Sequence, residues 1–273
     1  MFALIVVTLY PFWHVVMGSI SDPIALMKKT GFVFLPEGAA NLRSYALVFE
    51  NKNIMTGYRN TLFYVVAGTS INMAFTCLGA YVLSRRNYML KRPMSLFIIF
   101  TMFFSGGLIP FYLRVNGYGL QNTIWAVMVP YAINTYNMII LRTAFATVPS
   151  SMEESARMDG ANDLIILARV IMPLTVPTLA VITLYYVVDH WNSWFPAMIF
   201  LRDRKLYPLQ IFLREILILS DTREMTSASD DRVALSFTLR YATIFVATLP
   251  IILVYPLLQR YFVKGVMLGA IKG

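Results

Sequence analysis

Long uncharged windows alternate with short charged clusters along this chain. Residues 1–21, 60–84, 93–113, 115–141, 170–188 and 241–259 contain no Asp, Glu, Lys or Arg. A helix needs roughly 20 mainly apolar residues to cross about 30 Å of hydrocarbon. The windows predict six transmembrane helices at about 1–20, 60–84, 94–113, 122–141, 173–200 and 241–260, the fifth running on to Leu201 past a lone Asp189. The expected class is therefore an all-α integral membrane protein forming a single transmembrane domain over 1–273.

Pro11, Pro110, Pro130, Pro173, Pro177, Pro196, Pro250 and Pro256 lie in or beside these spans. Neighbouring helices can re-satisfy the backbone groups they free, so several bent helices are expected. Thr69, Asn72 and Thr76 form a polar stripe at helical spacing on the second span, which predicts helix–helix hydrogen bonding.

Composition agrees with the pattern. The 273 residues are 58% hydrophobic and only 14% charged, with a mean hydropathy of +0.63, against roughly 25% charged residues in soluble domains. A water-soluble enzyme is excluded. The net charge of +9 is a topology signal. Arg85, Arg86, Lys91 and Arg92 crowd one short loop and Arg260, Lys264 and Lys272 the last segment, with no acid in either. The positive-inside rule makes that loop and both termini cytoplasmic. It places 21–59 and 201–240 outside and the connection 142–172 inside. The outer segments 22–59 and 202–240 are nearly balanced, with five bases to three acids and seven to six, so nucleic acid drops out as a partner. The lone Cys77 offers no disulfide framework. The first span starts without a basic flank or a signal-peptide pattern, so a short cytoplasmic lead before Met1 is expected.

No P-loop, H-E-x-x-H, paired CxxC or G-x-S-x-G sequence occurs, and His14 and His190 are too few and isolated for a metal cluster. The chain is read as non-catalytic, binding no cofactor or metal of its own.

The segment from Pro149 to Pro173 is the most informative. Ser150 to Glu153 and Ser151 to Glu154 are two possible capping boxes. A helix starting near Met152 should stop at Gly160, which can adopt the left-handed conformation. Asn162 or Asp163 then caps a second, apolar helix reaching Met172. Leu164, Ile165, Ile166 and Leu167 in a row on a connector between spans imply a docking unit rather than a solvated loop.

This segment resembles the EAA loop of bacterial ABC importer permeases: Glu154-Ser155-Ala156, Gly160 and Val170-Ile171-Met172-Pro173 stand at that family's spacing, with Ser155, Val170 and Met172 as small departures. Arg142, Phe145 and Pro149, the Asp159-Gly160-Ala161 run, Tyr10-Pro11-Phe12-Trp13, and the tail from Gln259 to Gly265 with Gly269-Ala270 are similar to the maltose-type second permease, and the complex-oligosaccharide and alginate-type importers are its nearest counterparts. The resemblance implies the type I importer permease fold in the bacterial cytoplasmic (inner) membrane. It also implies a second homologous permease, two ATPase subunits holding ATP and Mg, and an extracytoplasmic solute-binding protein touching 202–240. The coupling residues it implies are Met152, Glu153, Glu154, Ala156, Met158, Asp159, Gly160 and Ala161. Glu154 would face a basic residue of the ATPase, and Met152, Ala156 and Met158 would make apolar contacts. The tail from Arg260 to Gly273 would reach the ATPase dimer or serve only as a positive-inside anchor.

For the solute pathway the candidates are Asp189, His190, Trp191, Asn192 and Trp194 on the fifth span, and Asn134 and Asn137 on the fourth, beside Tyr136. Ionisable groups at membrane depth face cavities or partners, and a carboxylate, amides and indoles suit a sugar. The alternative for Asp189 is a structural pairing, with Arg114 or with the other permease, and the tryptophans in the interfacial belt. The expected function is a sugar- or oligosaccharide-translocating subunit. A permease for a non-sugar solute, or an ion-coupled carrier using Asp189 and His190, stands as the alternative.

Overall fold

The computed structural model describes residues 2–85, 89–225 and 234–253, and every regular element among the described residues is helical. Single turns aside, these are in chain order α1 (Phe2–Ser19), α2 (Pro23–Lys28), α3 (Arg43–Glu50), α4 (Lys52–Ser84), α5 (Lys91–Phe103), α6 (Leu108–Gly117), α7 (Thr135–Ala146), α8 (Ser150–Met158), α9 (Asp163–Leu174), α10 (Val176–Asn192), α11 (Phe195–Phe200), α12 (Leu209–Met225) and α13 (Ala234–Leu253). Arg86 and the tail from 254 onward lie outside the described residues.

Helices α4, with 33 residues, and α13, with 20, are long and apolar enough to cross a membrane. The pairs α5 with α6 and α9 with α10 meet that test only together, bent by 114° and 93°, and α1 is apolar but shorter. An uncharged window therefore marks apolarity, not an unbroken helix. The window at 94–113 is cut at Gly106-Gly107, where Gly107 takes φ +83°. The one at 122–141 holds a short turn at Trp125–Met128 before α7 restarts under the cap of Asn134, whose side chain accepts from Asn137 N–H at 3.1 Å. The one at 173–200 pauses at Ser193 and Trp194, and Pro196 restarts it in the first turn of α11. The bend into α10 sits on Thr175, whose hydroxyl donates back to Ile171 O at 2.8 Å, between Pro173 and Pro177.

The chain divides into two compact units, the described residues up to Thr61 with Asp203–Leu253, and Leu62–Arg202. The first is held by close helix contacts. Gly57 lies against Leu209, so near that a Cβ would stand 2.8 Å from the Leu209 Cα. Leu209 N–H donates to Thr61 Oγ1 at 2.9 Å, and Tyr58 OH donates to Val246 O at 2.6 Å. His14 links α1 to Tyr241 at 3.2 Å.

The second unit contains both candidate sites. Its core joins Cys77, Ala80, Tyr81 and Leu83 of α4 with Met138, Leu141 and Phe145 of α7 and with Ile166, Leu167 and Ile171 of α9. The apolar run at 164–167 thus splits: Ile166 and Leu167 fill this core, while Leu164 and Ile165 are exposed. Two π-type turns, Tyr64–Gly68 in α4 and Leu167–Ile171 in α9, re-aim their helices beside the candidate sites.

Candidate functional site

The first site is the α8–α9 pair. Gly160 has φ +84°. Gly160 N–H donates to Arg157 O at 3.0 Å and Ala161 N–H to Ala156 O at 2.9 Å, the two bonds of a Schellman terminus. Asn162, not Asp163, caps α9, accepting from Ile165 N–H at 2.9 Å. Asp163 is free for other work: it accepts from Tyr81 OH at 3.1 Å and pairs with Arg157.

The capping boxes expected at the start of α8 do not form. The helix begins two residues before Met152, at Ser150, with Pro149 as its cap and no side-chain cap bond. Glu153 is then too far along the first turn to reach back, and its carboxylate pairs instead with Arg85 at the end of α4. Both partners are largely buried, with side chains 16% and 13% exposed. Arg85 also donates to Ser84 Oγ at 2.8 and 3.0 Å and to Phe145 O at 3.3 Å, and lies 4.7 Å over the Tyr81 ring. Burial pushes the Arg85 pKa down from its ordinary value, which is so high that the charge persists. Around this pair opens a cavity of about 600 Å³ lined by Ser84, Arg85, Phe145, Ala146, Val148, Ser150, Glu153, Glu154 and Arg157.

Of the expected coupling residues, Met152, Glu154, Met158, Asp159 and Gly160 are exposed. Met158 is 88% exposed, so an apolar side chain stands in the open at the tip of α8. Ala156 and Ala161 turn the other way and pack on the core, because the Schellman turn folds that side of α8 onto the protein. Glu153 is committed to Arg85. Two adjacent carboxylates thus have different roles, and Glu154 is the one presented outward.

The second site lies where α10 breaks. Asp189, His190, Asn192 and Trp194 line a cavity of about 190 Å³ with Val127, Tyr131, Ser193, Phe195 and Pro196. It is smaller than the roughly 300–1,000 Å³ of an enclosed small-molecule site. Asp189 and Asn192 are exposed, and Trp194 stands edge-on to Phe195 at 5.4 Å. His190 is buried. Its Nε2 bonds Asn72 Oδ1 at 2.6 Å, while Asn72 Nδ2 donates to Tyr131 O at 2.7 Å. One turn earlier, Tyr186 OH accepts from Asn134 N–H at 3.1 Å and shares a 2.7 Å bond with Thr76 Oγ1. The polar stripe on α4 therefore does bind its neighbours through Asn72 and Thr76; the Thr69 hydroxyl is buried without a partner among the described residues.

Trp191 is buried and Asn137 lies under the cap of Asn134, so neither lines this cavity. Asn134 and Tyr136 are exposed, again outside it. Arg114 belongs to a different hollow with Pro110 and Tyr118.

Reasoning from sequence missed Arg85, Tyr81, Tyr186, Tyr131 and Gly68. Arg85 was legible only as one of several loop charges. Tyr186 stands one helical turn before His190, a spacing that marks it as a neighbour on the same face.

Residues 54–268 match the family model described as binding-protein-dependent transport system inner membrane component. The polygalacturonan/rhamnogalacturonan transport system permease protein YtcP of Bacillus subtilis (strain 168) is 40% identical over 278 residues, covering 100% of this chain and 95% of its own. Protein LplC of the same organism is 36% identical over 268 residues, covering 98% and 90%. Among solved structures, a chain of a bacterial ABC transporter involved in the import of the acidic polysaccharide alginate superposes with a TM-score of 0.85 at 35% identity, covering 95% of this chain and 92% of that one.

Proposed function

The chain belongs to the family of binding-protein-dependent transport system inner membrane components, and from that premise we propose that it is one of two permease subunits of an ABC importer for acidic oligosaccharides. In this reading it has no catalytic site. Two ATPase subunits hold ATP and Mg, and a solute-binding protein delivers the sugar to the outer segment 202–240. A bundle of six spans has both termini and the α8–α9 pair in the cytosol, as the loop charges argue.

The observation that carries the proposal is the α8–α9 pair itself. Its Schellman turn fixes two short helices at a set angle, and it offers a carboxylate, Glu154, beside exposed Met152 and Met158. A rigid two-helix knob with a charged and apolar outer surface is built to be gripped. An ATPase that closes on it would move α9 and, through the 93° bend at Thr175, α10. That is a rigid-body lever acting on a two-state bundle.

The substrate class is supported by the relatives, whose names specify polygalacturonan/rhamnogalacturonan and alginate. The cavity at Asp189 fits the neutral side of such a sugar. Its carboxylate and amide accept and donate to hydroxyls, and Trp194 offers an aromatic wall. Having a carboxylate of its own, it repels those of the substrate, which must face away from Asp189.

The test is purification of the tagged chain from its host in mild detergent, with mass spectrometry of what accompanies it. A second permease and a P-loop ATPase, with hydrolysis stimulated by oligogalacturonate in the presence of the binding protein, is the expected result. A chain that purifies alone and transports solute in liposomes without ATP would overturn the proposal in favour of an ion-coupled carrier centred on Asp189.

A further inference from the structure

The strongest polar structure outside the two surfaces just discussed is the joint between α4 and the α8–α9 pair. Tyr81 in the last turn of α4 and Arg85, the residue that caps its C-terminus, reach the two arms separately. Arg85 takes Glu153 on α8, and Tyr81 donates to Asp163 on α9 at 3.1 Å. Arg157 closes the ring by pairing with Asp163 from the α8 side. These are not three equivalent bridges. The Arg157–Asp163 pair has side chains 52% and 61% exposed, whereas Arg85 and Glu153 are 16% and 13% exposed. Exposed pairs contribute little; a pair shielded from water is screened less and is costly to break on one side.

The guanidinium is also held in one pose. Its Nε and Nη2 are spent on Ser84 Oγ and Nη2 also on Phe145 O, leaving Nη1 for Glu153. A flexible tether would let α8 swing without moving α4. A fork whose nitrogens are fixed to the last turn of α4 and to α7 transmits displacement instead.

We infer that Arg85 is a positioning residue for import: by clamping Glu153 it makes α8 move as one piece with α4, so that motion imposed on the knob reaches the Asn72 and Thr76 contacts with α10. The inference rests on the importer reading. It assigns Glu153 an internal role, distinct from the outward role of Glu154.

The experiment compares the assembled importer carrying Arg85→Ala, Glu153→Gln or both, reconstituted in liposomes with its binding protein and a defined oligogalacturonate. The readout is sugar taken up per ATP hydrolysed, alongside the ATPase content of the purified complex. Coupling free energies between sites commonly correspond to factors of 5–150, and a loss of about tenfold in that ratio is expected for each single variant. The double variant should lose no more than either single one, because one clamp is removed in each case. A role confined to stability would reduce the yield of complex and scale uptake and hydrolysis together, leaving the ratio unchanged; that result overturns the inference. So do losses that multiply in the double variant. If Arg85→Ala gives no complex, Arg85→Lys decides: it keeps the charge but not the fork, and an unchanged ratio refutes the clamp. Failure of the importer reading looks different, since the wild-type chain would then bring no ATPase.

Discussion

The Asn72–His190 contact makes Gly68 the most demanding position in the second unit. A Cβ built on Gly68 would stand 2.4 Å from His190 Nε2 and 2.5 Å from Cε1, well inside contact distance. Gly68→Ala therefore has to push the imidazole aside, and the ring cannot move without giving up its 2.6 Å bond to Asn72. Overpacking of this kind costs about 1–3 kcal/mol. Hydrogen bonds between membrane helices add only about 0.6 kcal/mol on average. Replacing Gly by Ala in a helix returns up to about 1 kcal/mol of propensity. The net expectation is a loss of about 0.6–2.6 kcal/mol, less than the overpacking alone.

The assay is equilibrium unfolding in mixed detergent micelles, run as a cycle with His190→Ala. In the wild-type background Gly68→Ala destabilises. In the His190→Ala background the obstructing ring is gone, so the same change is neutral or stabilising through propensity. The interaction between the two substitutions should lie in the roughly 0.5–3 kcal/mol range of residues in contact. Equal costs in both backgrounds would refute the reasoning, because the penalty would then come from the helix itself and not from the imidazole.

Three further outcomes follow. Glu154→Lys should weaken retention of the ATPase subunits by about tenfold, measured by co-purification. Gly160→Pro demands a φ near −65° where the turn holds +84°, so uptake should be lost while the chain still inserts, shown by membrane fractionation beside the transport assay. Asp189→Asn should leave assembly intact and change the sugar concentration needed for half-maximal uptake by about 2- to 10-fold, the size of one hydrogen-bonding change, read from a saturation curve; an unchanged curve removes Asp189 from the path.

Local chemistry was the legible part of this chain. The stop at Gly160 and the cap of α9 depend on residues within one turn; the stop occurs as the spacing predicts, and of the two expected caps, Asn162 and Asp163, the structure uses Asn162. The polar stripe of Asn72 and Thr76 was likewise readable as interhelical, although its partners were not. Glu153 shows where such reading ends. Sequence places it in a capping box, but the helix starts earlier because Pro149 provides its first bend, and the carboxylate goes to an arginine 68 positions away. Nothing local encodes that approach. The broken windows were half legible. Pro110, Pro173, Pro177 and Pro196 predicted bent helices, and bends or breaks lie beside them. Averaged apolarity does not place the breaks at Gly106-Gly107, Ser193 and Thr175, since a broken apolar segment has the same composition as a straight one.

The second unit then admits a mechanical reading that neither site gives alone. Gly68, Asn72 and Thr76 recur every four residues and share the face of α4 that meets α10. Tyr81, nine residues beyond Asn72, lies half a helical turn around the axis by the 100° step per residue, and Arg85 follows as the residue that caps the helix. One helix thus presents one face to the candidate path and the opposite face to the knob, about 14 Å apart along its length. Displacing the knob toward α4 has to press the other face onto α10, because the intervening core of Cys77, Ala80, Met138 and Leu141 is closely packed and buried. Packed interiors transmit strain rather than absorb it. Enlarging Ala80, fully buried in that core, should therefore disturb both ends of the helix at once, whereas a change at exposed Asp189 should be felt at one.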